Sequence, residues 1–140
     1  MSVGILIISH NNIGESLINT ANVMIKENPL TTKIISAVLE STSDELYENA
    51  ILLINELDKG NGVLILTDLF GSTPSNIAHR LLEKENVGIV SGINLSMLIR
   101  IFNYPHLNLK EITKKAYSGG IDGIKINGAS SGNTGWKIRK

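Results

Sequence analysis

Val3-Gly4-Ile5-Leu6-Ile7-Ile8, followed by Ser9-His10, is apolar along its whole length instead of at every second position. A strand with one face in water alternates apolar and polar residues, whereas a strand covered on both faces does not. The segment therefore predicts a central strand with helices above and below it. Similar runs at Ile34 to Leu39, Val63 to Leu66 and Val87 to Val90 predict three more.

Helical spacing fills the intervals. Ile13, Leu17, Ala21 and Met24 or Ile25 share one face before Asn28-Pro29 ends the segment. Ser43 is the expected cap of a second helix, with Asp44 and Glu45 in its first turn, apolar Leu46, Ala50, Leu53 and Leu57, and a closing Gly60. Thr73 is the expected capping hydroxyl of a third, with Pro74 at its first position and Ile77, Ala78, Leu81 and Leu82 on its buried side. Asn94 caps a fourth carrying Met97, Leu98 and Ile101. Asn108 and Glu111 form a capping box for a fifth, whose Leu109, Ile112 and Ala116 run to a stop at Gly119-Gly120. Ile124-Lys125-Ile126 reads as a last, short strand.

Strand and helix thus alternate across short connections. That pattern predicts an α/β fold with a mainly parallel, flavodoxin-like sheet in the order 2-1-3-4 and helices on both faces. Its 140 residues suit a single domain, since a chain of this order buries roughly 70% of its unfolded surface around one core. The domain is expected over residues 1–126. From 127 to 140 the composition turns to Gly, Ser, Asn and Thr before Trp136 and a basic end, as in a flexible tail.

Thirteen basic and thirteen acidic residues cancel, which removes the bulk attraction that nucleic acid or an anionic membrane would exploit. Partners must be recognised locally. The absence of cysteine excludes disulfides, thiolate metal sites and cysteine nucleophiles. The start lacks the basic region of a secretory signal, and the apolar runs fall short of the roughly 20 residues a membrane span needs. A cytoplasmic location is expected.

In open α/β sheets ligands bind beyond the carboxyl ends of the strands, where the strand order reverses. The first strand ends in Ser9-His10, the third in Thr67-Asp68 and the fourth in Ser91-Gly92. With strands one and three adjacent, about 4.8 Å apart, His10 and Asp68 project from neighbouring ends. A carboxylate that accepts the proton of one ring nitrogen fixes the tautomer and leaves the other nitrogen free to attack. The expected arrangement has Nδ1–H facing Asp68 and Nε2 as the nucleophile. Gly71-Ser72-Thr73-Pro74 adds a turn of small residues leading into a helix, where unpaired N–H groups and the helix dipole favour an anion.

Ile7-Ile8-Ser9-His10, Leu66-Thr67-Asp68-Leu69-Phe70-Gly71-Ser72-Thr73-Pro74-Ser75-Asn76 and Gly92-Ile93-Asn94-Leu95-Ser96-Met97-Leu98 together resemble the IIA domain of the mannose family of the bacterial phosphoenolpyruvate-dependent sugar phosphotransferase system. The likeness runs from about Val3 to Ile126. It implies that His10 accepts a phosphoryl group from the phosphocarrier HPr and passes it to a IIB protein serving membrane IIC and IID subunits. By the same resemblance Asp68 is the partner of His10, and Gly71, Ser72 and Thr73 cradle the phosphoryl group. Asn11, Asn12, Leu69, Phe70 and Asn94 are expected to face partner proteins. A homodimer is implied, with the strand at Ile124 to Ile126 exchanged between subunits. The family often has glycine where Asn11 stands and proline where Ser96 stands. The chain as given leaves no room for a second domain, so the IIB protein is expected as a separate chain. No cofactor or metal is implied, and His79 with Glu83 reads as an exposed pair on a helix.

Three rival functions remain at this level. A response-regulator receiver needs an acidic pair after strand one to hold magnesium, and Ser9-His10 stands there instead. A phosphoryl donor subunit for dihydroxyacetone kinase would share the fold and the histidine. A regulatory module would bind a partner according to its phosphorylation state without passing phosphate onward.

Overall fold

The computed structural model describes residues 2–83 and 86–128. Four parallel strands, β1 (Gly4–His10), β2 (Thr32–Ala37), β3 (Val63–Thr67) and β4 (Val87–Ser91), form one sheet in the order β2-β1-β3-β4. They are joined and covered by α1 (Ile13–Ile25), α2 (Ser43–Leu57), α3 (Thr73–Leu81), α4 (Leu95–Phe102) and α5 (Leu109–Asp122). The flavodoxin-like order read from the sequence is the order found.

β1 is central, and Ile5, Leu6, Ile7 and Ile8 are all fully buried. Successive side chains point to opposite faces. Ile5 and Ile7 join Leu64, Leu66, Ile18 and the buried residues of α4 and α5 in one layer. Leu6 and Ile8 join Ile65, Ala50, Ile54, Ile77 and Leu81 in the other, under α2 and α3. Each buried aliphatic side chain contributes about 1.5–3 kcal/mol relative to exposure, so the two layers fix the register of β1.

Several boundaries differ from the sequence reading. The second apolar run does not continue as strand to Leu39: β2 stops at Ala37, and Val38 and Leu39 lie exposed beyond it. Thr42, not Ser43, caps α2, because the reciprocal box needs its glutamate three residues on; the Thr42 hydroxyl accepts from the Glu45 amide at 3.2 Å and the Glu45 carboxylate from the Thr42 amide at 3.3 Å. Ile54 is buried in α2 while Leu53 is only partly so. In α1 the buried stripe is Gly14, Ile18 and Ala21, and Ile13 and Met24 face outward. Leu82 likewise lies beyond the end of α3 and is exposed.

Gly119-Gly120 does not stop α5, which runs on to Asp122. These glycines serve close packing instead. A Cβ on Gly119 would lie 2.5 Å from Arg100 Cβ, and one on Gly120 would lie 2.9 Å from Met97 Cε, so α4 and α5 meet where side chains are missing. The Asn108–Glu111 box and the Asn94 cap stand as expected. Ile124–Ile126 forms no strand among the described residues, and Ile124 and Ile126 are exposed. Of the expected tail, residues 129–140 lie outside the described residues.

Candidate functional site

His10 is the last residue of β1, and alternation places it on the face of Leu6 and Ile8, the side covered by α2 and α3. Its neighbour Ser9 points the other way and is fully buried. The Ser9 hydroxyl accepts the amide of Gly14 at 2.9 Å. It thereby caps α1 from the strand, since Asn12 makes no side-chain cap bond. A Cβ on Gly14 would sit 2.7 Å from both Ile7 Cγ2 and Ser9 Oγ, so glycine is what lets α1 start this close to β1.

β3 ends one residue before Asp68, beside β1. Asp68 Oδ2 accepts the main-chain amide of His10 at 2.9 Å and lies 2.8 Å from His10 Nδ1. Asp68 Oδ1 accepts the Leu69 amide at 2.9 Å. Burial pushes this carboxyl upward, but the amide and ring of His10 and the adjacent main chain outweigh it and hold Asp68 below its usual value. The group is therefore a carboxylate at neutral pH. A carboxylate can only accept, so Nδ1 carries the proton, and in the neutral ring the lone pair is on Nε2. The His10 side chain is 40% exposed and that of Asp68 10%: the acid is enclosed while the ring is open to a partner.

The turn after Asp68 closes with the Ser72 amide donating to Leu69 O at 3.3 Å and the Ser72 hydroxyl donating to the same oxygen at 2.5 Å. Gly71 adopts φ +86°, a conformation that favours glycine. Ser72, not Thr73, is the N-cap of α3, because it is the last extended residue; its hydroxyl is engaged with Leu69 and makes no cap bond. The intrahelical ladder begins with the Asn76 amide on Ser72 O. First-turn donors at Thr73 and Ser75 thus have no partner within the helix, and the dipole adds positive potential there. Thr73 is exposed.

The rim is more apolar than expected. Leu69 and Phe70, anticipated from the sequence, are exposed, and so are Ile13, Val38 and Leu39, which were not anticipated. Leu39 is 97% exposed, two residues beyond Ala37, which pairs with His10 in the register of β1 and β2. Asn11 takes φ +47° and donates its amide to Ala37 O at 2.9 Å, and Asn11 and Asn12 are both exposed. Asn94 is engaged internally: its carbonyl oxygen accepts the Met97 amide at 2.8 Å and its amide nitrogen donates to Gly120 O at 3.1 Å. These two bonds tie the start of α4 to the end of α5. His79 is exposed, as read, with Nδ1 2.8 Å from Ser75 O.

Over residues 4–117 the sequence matches the profile of a family, EIIA-man, described as PTS system fructose IIA component. The chain belongs to this family. It is a IIA component of the mannose class of the sugar phosphotransferase system. The mannose-specific EIIAB component of Escherichia coli K12 is 28% identical over 128 residues, 89% of this chain but only 39% of that protein. The IIA chain therefore spans about two fifths of the length of such relatives. The mannose/sorbose specific IIA subunit from Enterococcus faecalis has the same fold, with a TM-score of 0.81, 23% identity, and coverage of 91% of this chain and 96% of that one. The IIA protein associated with the fucose utilization operon from Streptococcus pneumoniae aligns with a TM-score of 0.68 and 29% identity over 84% of this chain and 93% of that one. Among the described residues of the IIA chain, no helix is long and apolar enough to cross a membrane.

Proposed function

We propose that this IIA component carries phosphate on His10 Nε2, taking it from phosphorylated HPr and giving it to a IIB protein of a mannose-class sugar uptake system. The observation that carries the reading is the 2.8 Å contact of His10 Nδ1 with an ionised Asp68 while the ring remains 40% exposed. It leaves one nitrogen nucleophilic and reachable.

In the forward step the Nε2 lone pair attacks the phosphorus of the donor's phosphohistidine in line. A new N–P bond forms as the donor's N–P bond breaks, and that electron pair returns to the donor's imidazole. The proton on His10 Nδ1 stays facing Asp68, which stabilises the positive charge gathering on the ring. The amides at the start of α3, with the Thr73 side chain and the open backbone at Gly71, are suited to the equatorial oxygens, and the Ser72 hydroxyl joins them only by giving up its bond to Leu69 O. The reverse step serves the acceptor, so donor and acceptor use overlapping surfaces. Asn11, Asn12, Leu69 and Phe70, with Val38 and Leu39 added, form that surface. The setting is the cytoplasm, and the membrane IIC and IID subunits are reached only through IIB.

A homodimer that exchanges Ile124–Ile126 as an added strand remains part of the proposal. It is supported by the exposure of Ile124 and Ile126, which would be covered by a second sheet edge.

The test is incubation with HPr, its upstream kinase and phosphoenolpyruvate. Wild-type protein is expected to gain an acid-labile phosphate and His10→Ala to gain none; equal labelling of the two overturns the reading. Adding a IIB protein separates transport from regulation, since label that moves onward marks a carrier and label that only accumulates marks a regulatory module.

A further inference from the structure

Phe70 stands two residues after Asp68 on the loop that opens α3, and it is 73% exposed. Its ring meets the imidazole of His79 edge to face, with centroids 5.8 Å apart and planes at 82°. His79 is itself anchored. Its Nδ1 lies 2.8 Å from the main-chain oxygen of Ser75, one helical turn earlier. A carbonyl only accepts, so Nδ1 carries the proton in either charge state of the ring, and the orientation of the ring is set by α3. Ser75 is buried at the start of that helix, so the chain of support runs from the packed layer through His79 to Phe70.

An exposed aromatic on a loop ordinarily samples several rotamers, and fixing one on association costs affinity. An edge-to-face pair removes part of that cost beforehand, because it favours one ring placement in the free protein. We propose that His79 is a positioning residue that holds Phe70 ready to dock the proteins exchanging phosphate with His10. The inference rests on the phosphocarrier reading above and deepens it. His79 acts through Phe70 and has no part in the bond-making step, so its effect belongs in the affinity for the donor and not in the chemistry.

The experiment measures initial rates of phosphoryl transfer from phosphorylated HPr across donor concentrations, for wild type, His79→Ala, His79→Phe, Phe70→Ala and the double alanine variant, with a thermal melt of each. His79→Ala is expected to raise KM by about two- to tenfold, the size of one aromatic pair, with kcat unchanged. His79→Phe keeps a ring but loses the anchor to Ser75 O, and is expected to fall between wild type and His79→Ala. The double variant is expected to be no worse than Phe70→Ala alone, because the two residues act as one unit. An unchanged KM in His79→Ala, or effects that multiply in the double variant, overturns the positioning role while labelling of His10 stands. Absence of label in wild type overturns the phosphocarrier reading and this inference with it.

Discussion

One oxygen of Asp68 holds His10 at two points, accepting its amide at 2.9 Å and facing its ring nitrogen at 2.8 Å. Backbone and imidazole of the same residue are thus fixed by one acceptor. The strand end cannot shift without disturbing the ring, and a rotated ring forfeits the Asp68 contact while the His10 and Leu69 amides keep the carboxylate in place.

Replacing Asp68 by Asn keeps the shape but places an amide that can donate toward Nδ1, so the tautomer is no longer enforced. Transfer to His10 is expected to slow at least roughly tenfold, the lower end for carboxylates that orient an imidazole at a metal, with the fold retained. Single-turnover labelling checks this, and an unchanged rate removes Asp68 from the mechanism.

The same carboxylate makes stability depend on pH. Its value in the folded protein is depressed, so its contribution is complete above the ordinary aspartate value and is lost as pH falls through the lower, folded one. Urea denaturation of wild type and Asp68→Asn is expected to differ at neutral pH and to converge in acid. A gap that persists once pH has fallen below the folded Asp68 value contradicts the assignment.

Gly14→Ala tests the seat of α1. The added methyl would press on Ile7 and Ser9, each 2.7 Å from its position, and is expected to cost about 1–3 kcal/mol. Ser9→Ala removes only the cap and is expected to cost about 1 kcal/mol. Chemical denaturation ranks the two, and the reverse order would show that the cap outweighs the close approach.

Gly119→Ala probes the contact of α5 with α4, in the same layer as α1. Its methyl would meet Arg100 Cβ at 2.5 Å, the rigid root of a side chain and not its mobile end, so a loss of about 1–3 kcal/mol is expected from forced separation of the helices. Transfer to His10 is expected to be retained, because the site lies on the opposite face of the sheet. Loss of labelling in a folded variant would couple the two faces.

Leu39→Ser alters a side chain that is 97% exposed. Stability is expected to stay within about 0.5 kcal/mol, while KM for phosphorylated HPr rises. An unchanged KM excludes Leu39 from the docking surface.

The layout of the site was legible because strand ends in a parallel sheet are where chemistry collects, and the apolar runs mark those ends to within a residue or two. The rim was less so. Val38 and Leu39 continue the apolar run of β2, and nothing in their side chains distinguishes a strand from its overhang. Caps were displaced by one at Thr42 and Ser72, since neighbouring hydroxyl residues compete and the backbone turn decides between them. Gly119-Gly120 was read as a stop because glycine marks both helix ends and close helix contacts. Only the presence of Arg100 and Met97 opposite distinguishes the two. The task of Ser9 is not legible: a buried serine beside a reactive histidine has no local pattern that announces it.

Ser9 and His10 are adjacent, yet one braces a helix in the α1 layer and the other faces outward on the α3 side. Inserting or deleting one residue within β1 would exchange their directions, turning the imidazole into hydrocarbon and the hydroxyl to the surface. The phasing of four isoleucines and leucines is therefore as much a determinant of reactivity as the histidine itself, and activity should vanish with a frame slip that leaves every side chain of the motif present.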